Sequence, residues 1–329
     1  RQDRAASLAR PPRRAECGEV RVRRSRTEKT GIGAAPPSAP PHDREAGAGR
    51  RIRLDGYAGT WGLPMVLWQV LFFLIPLGFL VYLSFWLVRN YRMVPGFDVV
   101  NWVSMYGKGY FWDAYGLTLG LAATSTLVTS LIAFPCAWAL AFRFSDPARR
   151  WAIFFLIIPF FTSYLVRVYS WQVIIAEHGV INAALGLVGL DPLIMLNTRI
   201  GTLIGYLTLC LPLVIILQTF SLAAVDRTLI EAAHNLGCGR ARTILTVVVP
   251  LAKVGLIIGA VFCFILSFGD FVSPYYLGGS RPPTLSILII DTIKSGQQWP
   301  KAAVVAVTMI VTLLVVAFAA VSAAYRKRT

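Results

Sequence analysis

Six stretches of this sequence run apolar for long enough to cross a bilayer, and the segments between them are short. A hydrocarbon core of about 30 Å needs roughly 20 apolar residues in a helix rising 1.5 Å per residue. Inside such a core every backbone polar group must be satisfied by the segment itself, so the runs are constrained to be helices. The expected spans are Leu63 to Val88, Tyr115 to Phe142, Trp151 to Ile175, Gly201 to Leu222, Leu251 to Tyr276 and Ala302 to Tyr325. The fold class is therefore an all-α polytopic membrane protein. Composition agrees: 56% of the 329 residues are hydrophobic and only 15% are charged.

Charge sets the orientation. The short segments 143–150, 226–253 and 326–328 carry ten Lys and Arg, and the alternate loops carry fewer per residue. By the positive-inside rule those segments and both termini lie in the cytoplasm. The net charge of +16 includes +7 from residues 1–60, which hold 14 basic and 7 acidic residues. Residues 1–55 are rich in Arg, Pro, Gly and Ala, have almost no large apolar residue, and are expected to be a disordered tail. The chain opens on Arg1 and its first methionine is Met65, which fits a fragment or a start assigned upstream of the true one. The basic tail lacks the interleaved aromatics of a nucleic-acid binder, so no nucleic-acid partner is expected and the bilayer itself is the charge's counterpart.

Single spans carry further expectations. Pro76 should kink the first span, and Trp61, Trp68 and Trp86 near its ends should anchor at the interfaces. Tyr106, Tyr110, Phe111 and Trp112 place the following loop at the outer surface. In the second span Thr118, Ala122, Ser125 and Thr129 share one helical face, where small residues permit close helix packing. The third span contains Pro159 and Arg167; an arginine at that depth must snorkel, pair or face water. The cysteines form no CxxC pair and have no His at ligand spacing, so neither a disulfide nor a metal site is expected. Walker A, GxSxG and HExxH motifs are absent and His42, His178 and His234 stand apart, so no catalytic residues are expected.

Between the fourth and fifth spans lies a polar island, Asp226 to Val247, with Arg227, Arg240 and Arg242. Glu231 to Leu236 has helix-forming composition, Gly237 and Gly239 break it, and Ala241 to Val249 can form a second helix. Such an element is placed to dock a soluble partner. Its residues Glu231, Ala232, Ala233 and Gly237, followed by Pro250, resemble the EAA loop of ABC importer permeases, here spanning about 226–250. Two other stretches resemble the spermidine/putrescine-type permeases of that family. One is Leu156 to Trp171, with its proline, aromatics, Thr162-Ser163, Arg167 and Trp171, followed by Gly179-Val180-Ile181-Asn182. The other is Phe268-Gly269-Asp270-Phe271-Val272-Ser273-Pro274-Tyr275-Tyr276-Leu277-Gly278-Gly279. Residues 283–298 depart from the family's pattern.

The resemblance implies a six-span permease domain over residues 56–329, in a bacterial inner membrane. It implies a cytoplasmic coupling helix that docks in an ATPase groove, with Glu231 making the polar contact, Ala232 and Ala233 keeping the docking surface low and Gly237 permitting the turn. It implies partners: an ABC ATPase dimer that uses ATP and Mg, a second permease and an extracytoplasmic binding protein. This chain itself should bind no cofactor and hydrolyse nothing. Asp270 is the expected cation contact, with Tyr164, Trp171, Tyr275 and Tyr276 as aromatic partners, and Arg167 in the pathway. The alternative for Asp270 is to pair with Arg167 or cap a helix. The expected solute is a polyamine; an opine, an aminophosphonate, thiamine or ferric iron are the alternatives within the class. An ion-gradient transporter would want internal repeats and intramembrane acid clusters, and a purely structural membrane protein would not need the loop.

Overall fold

The structure is a computed structural model that describes residues 56–89 and 92–325, with side chains from Leu63 onward. The tail 1–55, Arg326-Lys327-Arg328 and the Trp61 side chain lie outside the described residues. In chain order the helices are α1 (Gly56–Gln69), α2 (Ile75–Leu83), α3 (Val100–Tyr106), α4 (Gly109–Phe142), α5 (Asp146–Phe161), α6 (Tyr164–Ile175), α7 (Val180–Leu187), α8 (Arg199–Ala223), α9 (Arg227–Asn235), α10 (Arg240–Thr243), α11 (Val249–Gly269), α12 (Val272–Tyr276), α13 (Leu285–Lys294) and α14 (Trp299–Tyr325). Among the described residues, five runs are long and apolar enough to cross a membrane: Leu63–Leu83, Gly109–Phe142, Arg199–Ala223, Arg240–Gly269 and Trp299–Tyr325. The sixth expected span is a broken pair, Asp146–Phe161 and Tyr164–Leu187, bent by 94°.

The first span ends sooner than its apolar run suggests. Pro76 sits at the start of α2, and the strain of its missing N–H is taken up by one widened π-helical turn, Val70–Leu74. The helix stops at Leu83, and the residues expected to finish the span instead form a small hairpin, β1 (Leu87–Arg89) against antiparallel β2 (Arg92–Val94). Asn101 of α3 pins that exit by donating to the carbonyls of Ser84 and Trp86 at 3.0 and 2.7 Å.

The centre of the bundle is α4, packed on α8 and α11. Its small-residue face is fully inside: Thr118, Ala122, Ser125 and Thr129 are each at most 1% exposed. Close approach is what that face is for, since Ser125 and Ser267 of α11 share a hydrogen bond of 3.2 Å between hydroxyls. Thr118 reaches across to accept from the backbone N–H of Leu285 at 2.9 Å, fixing the start of α13. Of the aromatics expected on the outer surface, Trp112 and Tyr110 are exposed, but Phe111 is completely buried in the cluster formed with Phe268, Leu285 and Val304. The α4 helix starts at Gly109, earlier than expected, and carries these rings into the fold.

The break in the third span falls at Thr162 and Ser163, both outside the helical conformation, with Thr162 extended. Pro159 cannot donate to the preceding turn, which weakens the helix just before the break. The fifth span also differs from expectation. No separate second helix follows Gly239; α10 passes through a π-helical turn, Ile244–Val248, straight into α11, and Pro250 follows that widened turn, which makes room for a residue with no N–H to donate.

Candidate functional site

The motif residues gather at opposite ends of the bundle. At one end lies α9. Asp226 caps its N-terminus, its carboxylate accepting from the Thr228 N–H at 3.0 Å. At its C-terminus Gly237 adopts φ +81, the left-handed region that a side chain resists. The Cys238 N–H then reaches the Ala233 carbonyl at 3.0 Å and the Gly237 N–H the His234 carbonyl at 2.9 Å, which closes the helix in a Schellman motif. Both caps are written in the sequence, so α9 is a rigid unit of two and a half turns.

Its two faces differ. Ala233 is 7% exposed and Ile230 packs beside the cluster of Ala137, Ala141, Leu222 and Val248. Glu231, Ala232 and Leu236 are exposed. Of the two alanines expected on a docking surface, Ala232 faces outward and Ala233 is turned into the bundle, where its small size lets α9 lie close. Arg227, at the head of α9, donates to the Ala141 carbonyl at 3.4 Å, tying α9 to the end of α4.

At the other end Asp270 follows α11 and precedes α12. Its Oδ1 accepts from the Val272 N–H at 2.9 Å. Its Oδ2 accepts from the Ser273 N–H at 3.2 Å, from Ser273 Oγ at 2.6 Å and from the Tyr164 hydroxyl at 2.6 Å. Asp270 is 9% exposed. Of the roles weighed for it, the cap is the one its contacts display, and Arg167 goes elsewhere. That guanidinium donates to the Pro159 and Thr162 carbonyls, to Thr162 Oγ1 at 3.2 Å and to the Thr208 carbonyl of α8 at 3.4 Å. It thus adds a donor to carbonyls at the break in the third span and to one on α8, which is a reason for an arginine at membrane depth.

The aromatic residues are brought partly together. Tyr164 and Trp171 pack against the cluster of Val168, Ile175, Val272 and Leu277. Tyr276 stands between Tyr169 and Tyr275, with ring centroids 4.9 Å from each, and Tyr275 is 43% exposed.

The glycines of the Leu277-Gly278-Gly279 turn are required by space. A Cβ on Gly278 would fall onto Thr202 Oγ1 and lie 2.8 Å from the Pro274 carbonyl. Gly279 has φ +70 and abuts Asn197. On the α8 side, Gly205 leaves no room for a Cβ beside the Ser273 side chain. Asn182, part of the motif after α6, holds its loop by donating to the Ala176, Glu177 and Leu193 carbonyls and accepting from the Leu193 N–H at 2.9 Å.

Sequence reasoning missed Ser273, Gly205 and Tyr206. Ser273, three residues after Asp270, carries the Asx-cap signature and could have been found. Tyr206 is fully buried, its hydroxyl without a hydrogen-bond partner among the described residues, and nothing in its sequence neighbourhood announces it.

Comparison with known proteins concerns the chain as a whole. Residues 129–329 match the model of the family described as binding-protein-dependent transport system inner membrane component. The spermidine/putrescine transport system permease protein PotB of Escherichia coli (strain K12) is 27% identical over 257 residues, which is 76% of this chain and 92% of that protein. The protein of the same name from Haemophilus influenzae is 26% identical over 255 residues, 76% of this chain and 88% of its own. Among solved structures, a chain of a bacterial ABC transporter involved in the import of the acidic polysaccharide alginate superposes with TM-score 0.68 at 18% identity, over 84% of this chain and 98% of that one. That last likeness concerns the fold alone.

Proposed function

The chain belongs to the binding-protein-dependent transport system inner membrane component family and is a permease subunit of an ABC importer, and we propose that the solutes it passes are polyamines of the spermidine and putrescine kind. The solute reading is supported by relatives named for those polyamines that align with 76% of this chain. The observation that carries the mechanism is the capped, half-exposed helix α9 between two spans, with Glu231 on its outward face.

In this reading residues 56–329 form the permease domain behind a basic tail, and the loop 226–250 and both termini are cytoplasmic. The outward face of α9 docks in the groove of an ABC ATPase. Glu231 makes the polar contact there, Ala232 keeps the surface low, and Ala233 and Gly237 fix the helix on the bundle. ATP and Mg are used by that ATPase, and this chain supplies the lever. A second permease completes the pathway and an extracytoplasmic binding protein delivers the solute.

At the opposite end Asp270 already accepts four hydrogen bonds, so its carboxylate meets an ammonium group only when the α12 turn opens. Tyr164 is released with it, and the exposed Tyr275 with Trp171 supplies ring faces to the cation. Arg167 acts as a positioning residue that holds the bent third span.

The test is uptake of labelled spermidine and putrescine by vesicles that contain this chain with its ATPase, second permease and binding protein, with and without ATP. ATP-dependent uptake supports class and solute together. Uptake of neither, with the ATPase still co-purifying, overturns the polyamine reading and leaves another small solute for the same machine.

A further inference from the structure

Along the flank of α9 that carries Ile230 and His234 is a cavity of about 330 Å³ between the end of α4 and the start of the fifth span. Its polar lining is Arg143 after α4, His234 on α9, Arg240 at the head of α10 and the neutral Thr243. The lining residues include no carboxylate. Its floor is aromatic, Trp138 and Phe142, with ring centroids 4.5 Å apart. The helical run Arg240–Gly269 begins at its edge, so the unpaired N–H groups and positive dipole end of a long helix add to the same field. Two guanidinium groups around one cavity repel each other unless an anion lies between them. The guanidinium fork matches a tetrahedral oxyanion bidentately. Next in sequence to the lining residues Arg143 and Ile244, Phe144 and Leu245 are exposed apolar side chains.

We propose that this cavity binds a phosphate-bearing anion, held by Arg143 and Arg240 with His234 beside them, the phosphate being that of an anionic phospholipid headgroup or of a soluble phosphate. Basic pockets between spans at the cytoplasmic face suit such headgroups. The anion bridges α9 to the two elements that seat it, the end of α4 and the start of the fifth span. The site stands on the chemistry of the cavity; its consequence, a stiffer lever, rests on the reading of α9 as the coupling helix.

The test therefore measures binding on the purified full chain and needs no transport. The delipidated protein in neutral detergent is titrated with phosphatidylglycerol and with phosphatidylcholine, and bound lipid is counted by native mass spectrometry. The expected result is a preference for phosphatidylglycerol that falls about tenfold or more in the Arg143→Gln/Arg240→Gln double variant. The Arg143→Lys/Arg240→Lys pair, which keeps charge and loses the fork, should fall between. Arg149→Gln is the control: Arg149 is engaged by Asp146 at 2.7 Å and is not part of the lining, and its variant should bind as the parent does. Displacement of the lipid by millimolar inorganic phosphate, or a rise in melting temperature with phosphate alone that the double variant lacks, assigns the site to a soluble anion. Lipid binding that phosphate does not displace assigns it to the headgroup. Equal binding of the two lipids with no effect of phosphate overturns the proposal, as does a double variant that binds like the parent while eluting as a folded monodisperse protein.

Discussion

The α9 end and the Asp270 end of this molecule both carry motif residues, yet they are built on opposite terms. At the Asp270 end the polar groups are turned on one another. Asp270 accepts four hydrogen bonds, Tyr164 and Ser273 share its Oδ2, and Gly205, Gly278 and Gly279 stand where a Cβ would strike a neighbour or strain the backbone. At the α9 end one helical face is seated and the other is left open. Apart from their own chain neighbours, Gly237 and Gly239 have no atom of the described residues within 4 Å of where a Cβ would lie. Glu231 projects from the exposed face. A residue can therefore recur in a motif because nothing else fits, or because something outside the chain must meet it, and local packing density tells the two apart.

The contrast is broken most directly at Glu231. Glu231→Lys reverses a charge on an exposed face, where substitutions rarely move stability by more than about 0.5 kcal/mol. Uptake is expected to fall to background and the ATPase to be lost on purification, with the permease still present in the membrane at its usual level. Normal uptake by this variant would remove the coupling role. At the other end the order of effects reverses, and folding suffers first. Gly278→Val drives atoms into Thr202 and the Pro274 carbonyl, an overpacking of about 1–3 kcal/mol or more. A lowered melting temperature and poor yield should follow, whereas Gly239→Ala, at φ −66 with open space around it, should melt like the parent. Equal melting of Gly278→Val and the parent would show that the turn yields where the packing says it cannot.

Asp270→Asn sharpens the same contrast, because it separates the cap from the pathway. The amide keeps the size but leaves one acceptor oxygen for four donors, a loss of about 1–3 kcal/mol read as melting temperature. If the carboxylate also meets the solute's ammonium, KM for spermidine uptake rises as well. A drop in stability with unchanged uptake kinetics would leave Asp270 as a cap and take it out of the pathway.

Much of this was legible in the sequence, for reasons that differ from residue to residue. The spans were legible because bilayer thickness imposes a length, and the buried stripe of Thr118, Ala122, Ser125 and Thr129 because helical period imposes a face. The end of α9 could be read because Gly237 acts within a few residues of itself, whereas the start was placed at Glu231 and lies at Arg227, behind the unread cap Asp226. What stayed hidden depends on where the backbone breaks, bends or runs on, which apolar length alone does not carry. Arg167 reads as a pathway charge until the break at Thr162 and Ser163 supplies it with carbonyls. The 94° bend is itself invisible to hydropathy, which counts apolar residues and not direction. The continuity of α10 with α11 was masked by Pro250, which the widened π-helical turn before it accommodates.

Gly237→Ala should have the smallest effect, and it probes the helix end most directly. At φ +81 a Cβ costs about 1–2 kcal/mol, although no neighbouring atom opposes it. The penalty is thus conformational and local, confined to the Schellman turn in which Cys238 and Gly237 reach back to Ala233 and His234. The bundle, held by α4, α8 and α11, should melt as before, while amide exchange quickens at Gly237, Cys238 and the last turn of α9. If α9 transmits force as a rigid lever, uptake should fall in proportion to that fraying, well short of the loss at Glu231. Faster exchange with full uptake would mean that α9 needs its outward face and not its rigid end, and that the open end of the molecule tolerates motion which the Asp270 end does not.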